Sequence, residues 1–216
     1  MTKAPSVSIV DYGCGNLLSV SRAMAHCGAS VELCQTAEQV MASERIILPG
    51  VGAFGSACEA LQRQGLIDSL REFAASGRPL LGICLGMQLL FEESLEFGTH
   101  EGLGLIPGRV VPIDREIPGG GRRKIPNIGW AAITCPSDRD WSSCILADTP
   151  ERTSFYFVHS FVGQPVNSRH VLAFTEYEGA EFCAAVRNGN VTGVQFHPEK
   201  SGPAGLAVLN RFLASS

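Results

Sequence analysis

Cys84 is the residue whose setting in the sequence most clearly favours nucleophilic chemistry. It is the centre of residues 82–86 (GICLG), which join an apolar strand-like run to a helix-like segment. A sharp strand-to-helix turn holds its central side chain above a sheet, and the flanking glycines avoid clashes. The helix N-terminus would favour a thiolate, and the N–H of Leu85 would point at a developing oxyanion. The pentapeptide predicts a cysteine nucleophile; the alternative is a buried thiol in a chain with eight cysteines.

His197 is the histidine best placed to accept the proton of such a nucleophile. It directly follows the apolar run 191–196 and begins the sequence HPEKS. Pro198 biases His197 toward an extended backbone, in which residues two apart face the same side. We therefore expect the imidazole to face Cys84, with the Glu199 carboxylate behind it to fix the tautomer. The alternative is a solvated loop.

The elements that must position these side chains form an α/β pattern. In the first half, apolar strand-like runs alternate with helical periodicity, which is typical of parallel strands with a covered sheet. The expected strands are 6–10, 31–34, 45–48 and 79–83, and the expected helices are 17–27, 65–75 and a segment that begins after residue 84. The second half has strand candidates between turn residues at 108–113, 130–135, 153–158, 171–175, 183–187 and 191–196, with a closing helix at 204–213. We expect one α/β domain over residues 1–216, whose mainly parallel sheet is flanked by helices and extended by antiparallel strands.

Composition excludes several classes of function. The 216 residues carry a formal net charge of −4 with scattered basic residues, so nucleic acid is not an expected partner. No apolar run approaches a membrane span, and the first ten residues lack a signal-peptide pattern. The eight cysteines are never closer than seven residues apart, which excludes zinc-ribbon and thioredoxin-type sites. Neither a metal nor a cofactor is expected. These features predict a cytoplasmic protein with reduced thiols.

Two segments together resemble the class I glutamine amidotransferases, whose triad is Cys-His-Glu. They are residues 82–88 (GICLGMQ) and 195–201 (QFHPEKS), and residues 49–52 (PGVG) resemble the oxyanion loop of that family. Within the family, the chain is most similar to the glutaminase subunits of imidazole glycerol phosphate synthase. The added likeness lies in residues 10–16, 49–54 and 157–160, and the whole resemblance covers about residues 7–213.

The resemblance implies a specific reaction. Cys84 attacks the side-chain amide carbon of glutamine, which gives a γ-glutamyl thioester and ammonia. His197 takes the thiol proton and returns one to the leaving amine, while Glu199 orients His197. Backbone N–H groups of Gly52 and Leu85 form the oxyanion hole, and water hydrolyses the thioester.

The resemblance also implies which residues hold the substrate. Gln88 and Glu96 match family positions that bind the backbone groups of L-glutamine, and the main chain around His159 and Ser160 assists. From the residues alone, the alternative is that Gln88 and Glu96 lie on an ordinary solvated helix face and loop.

A separate synthase subunit is expected to receive the ammonia, because the sequence ends soon after the triad. The resemblance implies a (β/α)₈ cyclase as partner in a heterodimer of histidine biosynthesis. Residues 124–131 (KIPNIGWA) depart from the usual family pattern K-x-P-H-x-G-W-N at Asn127 and Ala131. The segment lies at the partner interface of the family, so a paralogous glutaminase that supplies a synthase of surface-polysaccharide sugars is the alternative.

Two readings from other classes stay open at this point. One is a different Cys-His-Glu hydrolase on the same scaffold, such as a γ-glutamyl peptidase. The other is a nucleotide-binding module at residues 13–15 (GCG), although Leu18 stands where a dinucleotide fingerprint has its third glycine.

Overall fold

Two β-sheets and six α-helices make up the computed structural model, which describes residues 4–117 and 119–215. The strands are β1 Ser6–Val10, β2 Ser30–Cys34, β3 Ile46–Leu48, β4 Leu80–Ile83, β5 Phe91–Ser94, β6 His100–Glu101, β7 Ile106–Pro112, β8 Asn127–Thr134, β9 Ser154–His159, β10 Phe161–Pro165, β11 Val171–Tyr177, β12 Ala180–Asn188 and β13 Val191–Val194. The helices are α1 Leu17–His26, α2 Ala37–Ala42, α3 Phe54–Arg63, α4 Leu66–Ala75, α5 Leu85–Leu89 and α6 Gly202–Ala214. The predicted domain 1–216 extends beyond the described residues at positions 1–3, 118 and 216.

The main sheet has nine strands in the order β2-β1-β3-β4-β13-β12-β11-β8-β9. In this spatial order, the neighbouring strands β2, β1, β3, β4 and β13 pair in parallel. The pairs from β13 through β12, β11 and β8 to β9 are antiparallel. The strands β3, β4 and β13 are buried throughout, as expected for parallel strands covered on both faces. The prediction of an α/β fold with a parallel core and added antiparallel strands is confirmed.

A second, four-stranded sheet, in the order β10-β7-β5-β6, was not predicted. The run 108–113, expected as part of the main sheet, belongs to β7 and lies here instead. Strands β5 and β6 gave little signal because β5 contains two glutamates in four residues and β6 has only two residues. This sheet matters for function because it leads the chain to Glu96 and Phe161, which both lie in the candidate site.

Helices α2 and α3 were also missed, while α5 begins directly after Cys84, as predicted. Helix α2 begins with a capping box in which Thr36 and Gln39 exchange hydrogen bonds, a signal present in the sequence. Helix α5 has only five residues, so it contributes little beyond the N–H groups of one turn. Within the described part of the chain, no helix combines the length and apolar character needed to cross a bilayer.

The eight cysteines are all free thiols. Burial raises the pKa of Cys34 to about 11 and the pKa of Cys183 to about 12. Those two side chains therefore behave as small apolar core groups rather than reactive thiols.

Candidate active site

Cys84 lies in a strained turn at the carboxyl end of β4. Its backbone has φ 55° and ψ −111°, an uncommon conformation for a residue with a side chain. The turn is held by its N–H, which donates to the Val194 carbonyl at 2.8 Å. A Cβ at Gly86 would overlap the Leu48 carbonyl oxygen, and a Cβ at Gly82 would lie 2.7 Å from the Gly86 carbonyl carbon. Both glycines are therefore required by close backbone packing, as the sequence predicts.

His197 and Glu199 form a buried pair beside this turn. The imidazole Nδ1 donates to Glu199 Oε1 at 2.8 Å, and the two side chains are 3% and 1% exposed. The other ring nitrogen, Nε2, is buried without a hydrogen-bond partner in the described residues. Because His197 lines the same cleft as Cys84, this nitrogen is available for proton exchange there.

The predicted backbone of the His–Glu pair is confirmed at His197, which is extended, but is wrong for the residues that follow it. Residues Pro198–Lys200 form a 3₁₀ turn, so His197 and Glu199 do not share one face of an extended segment. Proline suits the first position of a helical turn, where its missing N–H costs nothing, and that preference prevails here. The Glu199 carboxylate instead folds back onto the imidazole that precedes the turn. The pairing that the sequence predicts is present, by a different backbone route.

The pKa of His197 is set by opposing effects. Burial lowers it, but interactions with Cys84 and Glu199 outweigh burial and raise it to about 9. Cys84 and Glu199 therefore favour a proton on the imidazole, so the ring can take the proton of the Cys84 thiol and later give it to a leaving amine. Because the folded-state pKa lies above the ordinary 6.5, the associated stabilisation is complete below pH 6.5 and is lost as pH rises through about 9.

The loop that carries Gly52 packs directly against the nucleophile turn. Tyr12 Oη donates to the Pro49 carbonyl at 2.8 Å. A Cβ at Gly50 would lie 2.7 Å from that hydroxyl and 2.9 Å from Leu85 Cβ, so only glycine allows this approach. Gly52 has φ 102°, a conformation that favours glycine. The two residues predicted for the oxyanion hole, Gly52 and Leu85, thus face one cleft; their role stays a prediction.

That cleft, of about 610 Å³, brings together eight of the nine predicted site residues. They are Gly52, Cys84, Leu85, Gln88, Glu96, His159, Ser160 and His197. The ninth, Glu199, lies behind His197. Most of the rest of the wall was not predicted from the sequence. It is largely apolar and consists of Val51, Phe97, Pro112, Ile113, Arg115, Ile125, Pro126, Val158 and Phe161. Short apolar runs carry no signal that separates a cleft wall from a core.

Gln88 and Glu96 are buried in the cleft wall, which excludes the solvated alternative for both. Glu96 Oε2 accepts the Phe54 N–H at 2.6 Å. Gln88 Nε2 donates to the Phe161 carbonyl at 3.1 Å and to Gln195 Oε1 at 3.0 Å. Each side chain keeps one oxygen as a free acceptor, which suits an ammonium group in the cleft.

His159 is a buried, neutral histidine with a defined tautomer. Burial, opposed by a hydrogen bond to Phe161 and reinforced by nearby His197, lowers its pKa to about 4. Its Nδ1 lies 2.9 Å from the Phe161 carbonyl, which only accepts, so Nδ1 carries the proton. Its Nε2 therefore accepts from Asn127 Nδ2 at 3.1 Å. The Asn127 side chain was expected to bear on a partner, but it lies inside the protein and supports His159.

The site thus combines a strained cysteine at the end of a parallel strand with a buried His–Glu pair that borders the same cleft. The chain belongs to the class I glutamine amidotransferase family, whose model matches residues 8–215. Over nearly its whole length it is similar to imidazole glycerol phosphate synthase subunits HisH. It is 48% identical to HisH 1 of Legionella pneumophila (strain Lens) over 209 residues, 96% of this chain and 98% of that protein. It is 46% identical to HisH of Rhodopirellula baltica over 206 residues, 95% and 96% of the two chains.

Solved structures show the same fold at low sequence identity. The structure of PurLQS from Thermotoga maritima matches with a TM-score of 0.74 and 19% identity, over 98% of this chain and 99% of that one. A crystal structure of a glutamine amidotransferase matches with a TM-score of 0.71 and 17% identity, over 97% and 99%. Family and fold, both predicted from the sequence, are confirmed.

Proposed function

We propose that this chain is the glutaminase subunit of an imidazole glycerol phosphate synthase. It hydrolyses glutamine to glutamate and passes the ammonia to a cyclase partner in histidine biosynthesis. The observation that carries the chemistry is the meeting of Cys84, the His197–Glu199 pair and the Gly52 loop in one cleft. The extensive identity to HisH subunits supports the assignment to that synthase. Eight free thiols suit a reducing cytoplasm.

The reaction consumes one water for each glutamine. Cys84 gives its proton to His197, and the sulfur attacks the side-chain amide carbon. The oxygen that becomes negative accepts hydrogen bonds from backbone N–H groups of Gly52 and Leu85. His197 protonates the leaving nitrogen, which departs as ammonia. Water, deprotonated by His197, then attacks the thioester and releases glutamate, and the proton returns to the sulfur.

Substrate recognition rests on acceptors placed on one wall of the cleft. Both N–H groups of Gln88 are committed within the protein, so only its Oε1 is free for a ligand. Glu96 likewise uses Oε2 for the Phe54 N–H and keeps Oε1. These oxygens bind the α-ammonium group of glutamine. The main chain of His159 and Ser160 borders the same cleft and completes the contacts.

Glu199→Gln is expected to lower glutamate release about 10²-fold and to move the alkaline limit of activity to lower pH. The amide oxygen still accepts from Nδ1, but it has no charge to stabilise the imidazolium. The pKa of His197 then falls from about 9 toward 6.5. The pH profile of kcat/KM measures this, with the exposed Glu176→Gln as control. An unchanged alkaline limit would show that Glu199 does not act through the charge of His197.

The proposed docking surface for the cyclase is apolar and surrounds the cleft. Phe97 and Val51, both cleft residues, are 88% and 46% exposed. On β8, Ile128 and Trp130 are 58% and 60% exposed, and Trp130 packs edge-on against Tyr156, which borders His197. Exposed apolar groups that cluster beside a site are typical of protein interfaces. A (β/α)₈ cyclase that covers this face receives ammonia before water can protonate it.

Trp130→Ala is expected to weaken cyclase binding by about 2 kcal/mol or more, because a buried interface tryptophan carries much of the binding energy. Glutamate release by the isolated chain should change little. Titration of the cyclase by calorimetry measures the effect. The matched control is Leu33→Ala, on β2 at the opposite edge of the main sheet. Equal affinities for both variants would place the interface elsewhere.

The glutaminase itself is tested by product analysis with the purified chain. Glutamine and a set of γ-glutamyl peptides are supplied, and glutamate and ammonia are measured. The expected result is Cys84-dependent hydrolysis with glutamine preferred. Preference for the peptides would favour a γ-glutamyl peptidase and overturn the proposal.

A further inference from the structure

Gln195 has a buried polar side chain that has no role in the proposed reaction. It lies between β13 and His197 and is 0% exposed. Its Nε2 is 3.7 Å from Cys84 Sγ, and its Oε1 accepts from Gln88 Nε2 at 3.0 Å. A distance of 3.7 Å suits an N–H to sulfur hydrogen bond, because sulfur is larger than oxygen. Gln195 thus touches the reacting atom from within the protein.

The hydrogen bonds fix which end of Gln195 faces the sulfur. The Phe161 carbonyl can only accept, so the atom of Gln88 that lies beside it must be nitrogen. The same nitrogen faces Gln195, so the nearer Gln195 atom must be the oxygen. A reversed amide would set two nitrogens against each other. Gln195 therefore presents its N–H to Cys84.

The sulfur of Cys84 contacts one hydrogen-bond donor and one acceptor, which favour different protonation states of the sulfur. The Val158 carbonyl, 3.8 Å away, accepts a hydrogen bond only from a protonated thiol. The Gln195 N–H, 3.7 Å away, bonds best to a thiolate, since a charged acceptor strengthens the bond. Helix α5 is a single short turn, so it adds little charge stabilisation of its own.

We infer that Gln195 is a further catalytic residue, whose side-chain amide donates to the Cys84 sulfur and favours its thiolate. Gln88 acts as a positioning residue that holds this amide in the donating orientation. The proton that leaves Cys84 goes to His197, and no other bond changes. The inference rests on the proposed role of Cys84, but its test does not require glutamine.

The test is the pH dependence of Cys84 alkylation by iodoacetamide, followed by mass spectrometry of the peptide that contains Cys84. Gln195→Glu is isosteric, keeps the contact with Gln88 and places a carboxylate oxygen at the sulfur. Gln195→Met removes the donor at similar size. We expect both variants to raise the pH midpoint of alkylation, Glu more than Met, and to slow alkylation near neutral pH about tenfold in the Met variant.

Two further variants test the role of Gln88 and provide a control. Gln88→Met, which frees the Gln195 amide to turn, should raise the midpoint by a smaller amount. The exposed Gln62→Met should leave it unchanged. If Gln195→Met does not fold, as judged by circular dichroism, Gln195→Leu, which also lacks the donor and adds no charge, takes its place. An unchanged midpoint in the folded Gln195 variants overturns the inference, whatever happens to glutamate release, and would leave Gln195 a packing residue. Absence of glutamate release by the unaltered chain, even with the liganded cyclase, would instead refute the glutaminase.

Discussion

Cys84→Ala is expected to lower glutamate formation from glutamine by about 10⁴-fold or more, since no thioester can form without the sulfur. The fold should survive, because alanine is smaller and the turn is held by backbone contacts and neighbouring glycines. Glutamate release under saturating glutamine measures the effect. Binding of glutamine, measured by calorimetry, should persist.

The control for that experiment is a second cysteine outside the cleft. Cys135 lies far from His197 in the sequence and does not line the candidate site, so Cys135→Ala serves as the control. It should retain full activity. If Cys84→Ala kept more than about a tenth of the activity, a nucleophile other than Cys84 would be required.

Gly86→Ala is expected to destabilise the protein by about 3 kcal/mol or more. The new Cβ would overlap the carbonyl of Leu48, a backbone atom of the buried strand β3 that cannot move aside. In a chain of this size that loss lowers the thermal midpoint by about 6 to 12 °C. Thermal unfolding followed by circular dichroism measures it, and poor yield of folded protein is an extreme form of the same result.

The matched control for Gly86→Ala is Gly119→Ala in an exposed loop. Gly119 has φ 93°, so alanine is strained there, but a Cβ would meet nothing within 4 Å. Its expected cost is about 1 kcal/mol, from backbone strain alone. Equal destabilisation by both substitutions would contradict the close packing of the nucleophile turn on β3.

The parts of the site that sequence could predict are governed by local rules. The turn at Cys84 requires small neighbours within two residues on each side, so its signature is contiguous. The same holds for the PGVG loop and for the residues that follow β13. The parallel strands could be predicted because strands that are buried on both faces have continuous apolar sequences.

The parts that escaped prediction depend on contacts between distant segments. Gln195 approaches Gln88 across 107 positions, and Asn127 meets His159 across 32. Such pairings leave no periodic pattern in the sequence. Asn127, which departs from the usual family pattern, forms an internal hydrogen bond with His159. The second sheet escaped because its strands are short and partly polar. The His197–Glu199 pair was found from its spacing, although the backbone that forms it is a 3₁₀ turn.

Delivery of ammonia to a cyclase is tested by measuring glutamate release by the purified chain alone and with a histidine-pathway cyclase plus its nucleotide substrate. We expect weak release by the chain alone, strong stimulation by the liganded cyclase, and loss of both in Cys84→Ala. The nucleotide product should form from glutamine without added ammonium. Hydrolysis that depends on Cys84 but ignores the cyclase would contradict the account, and would leave a glutaminase that serves another synthase.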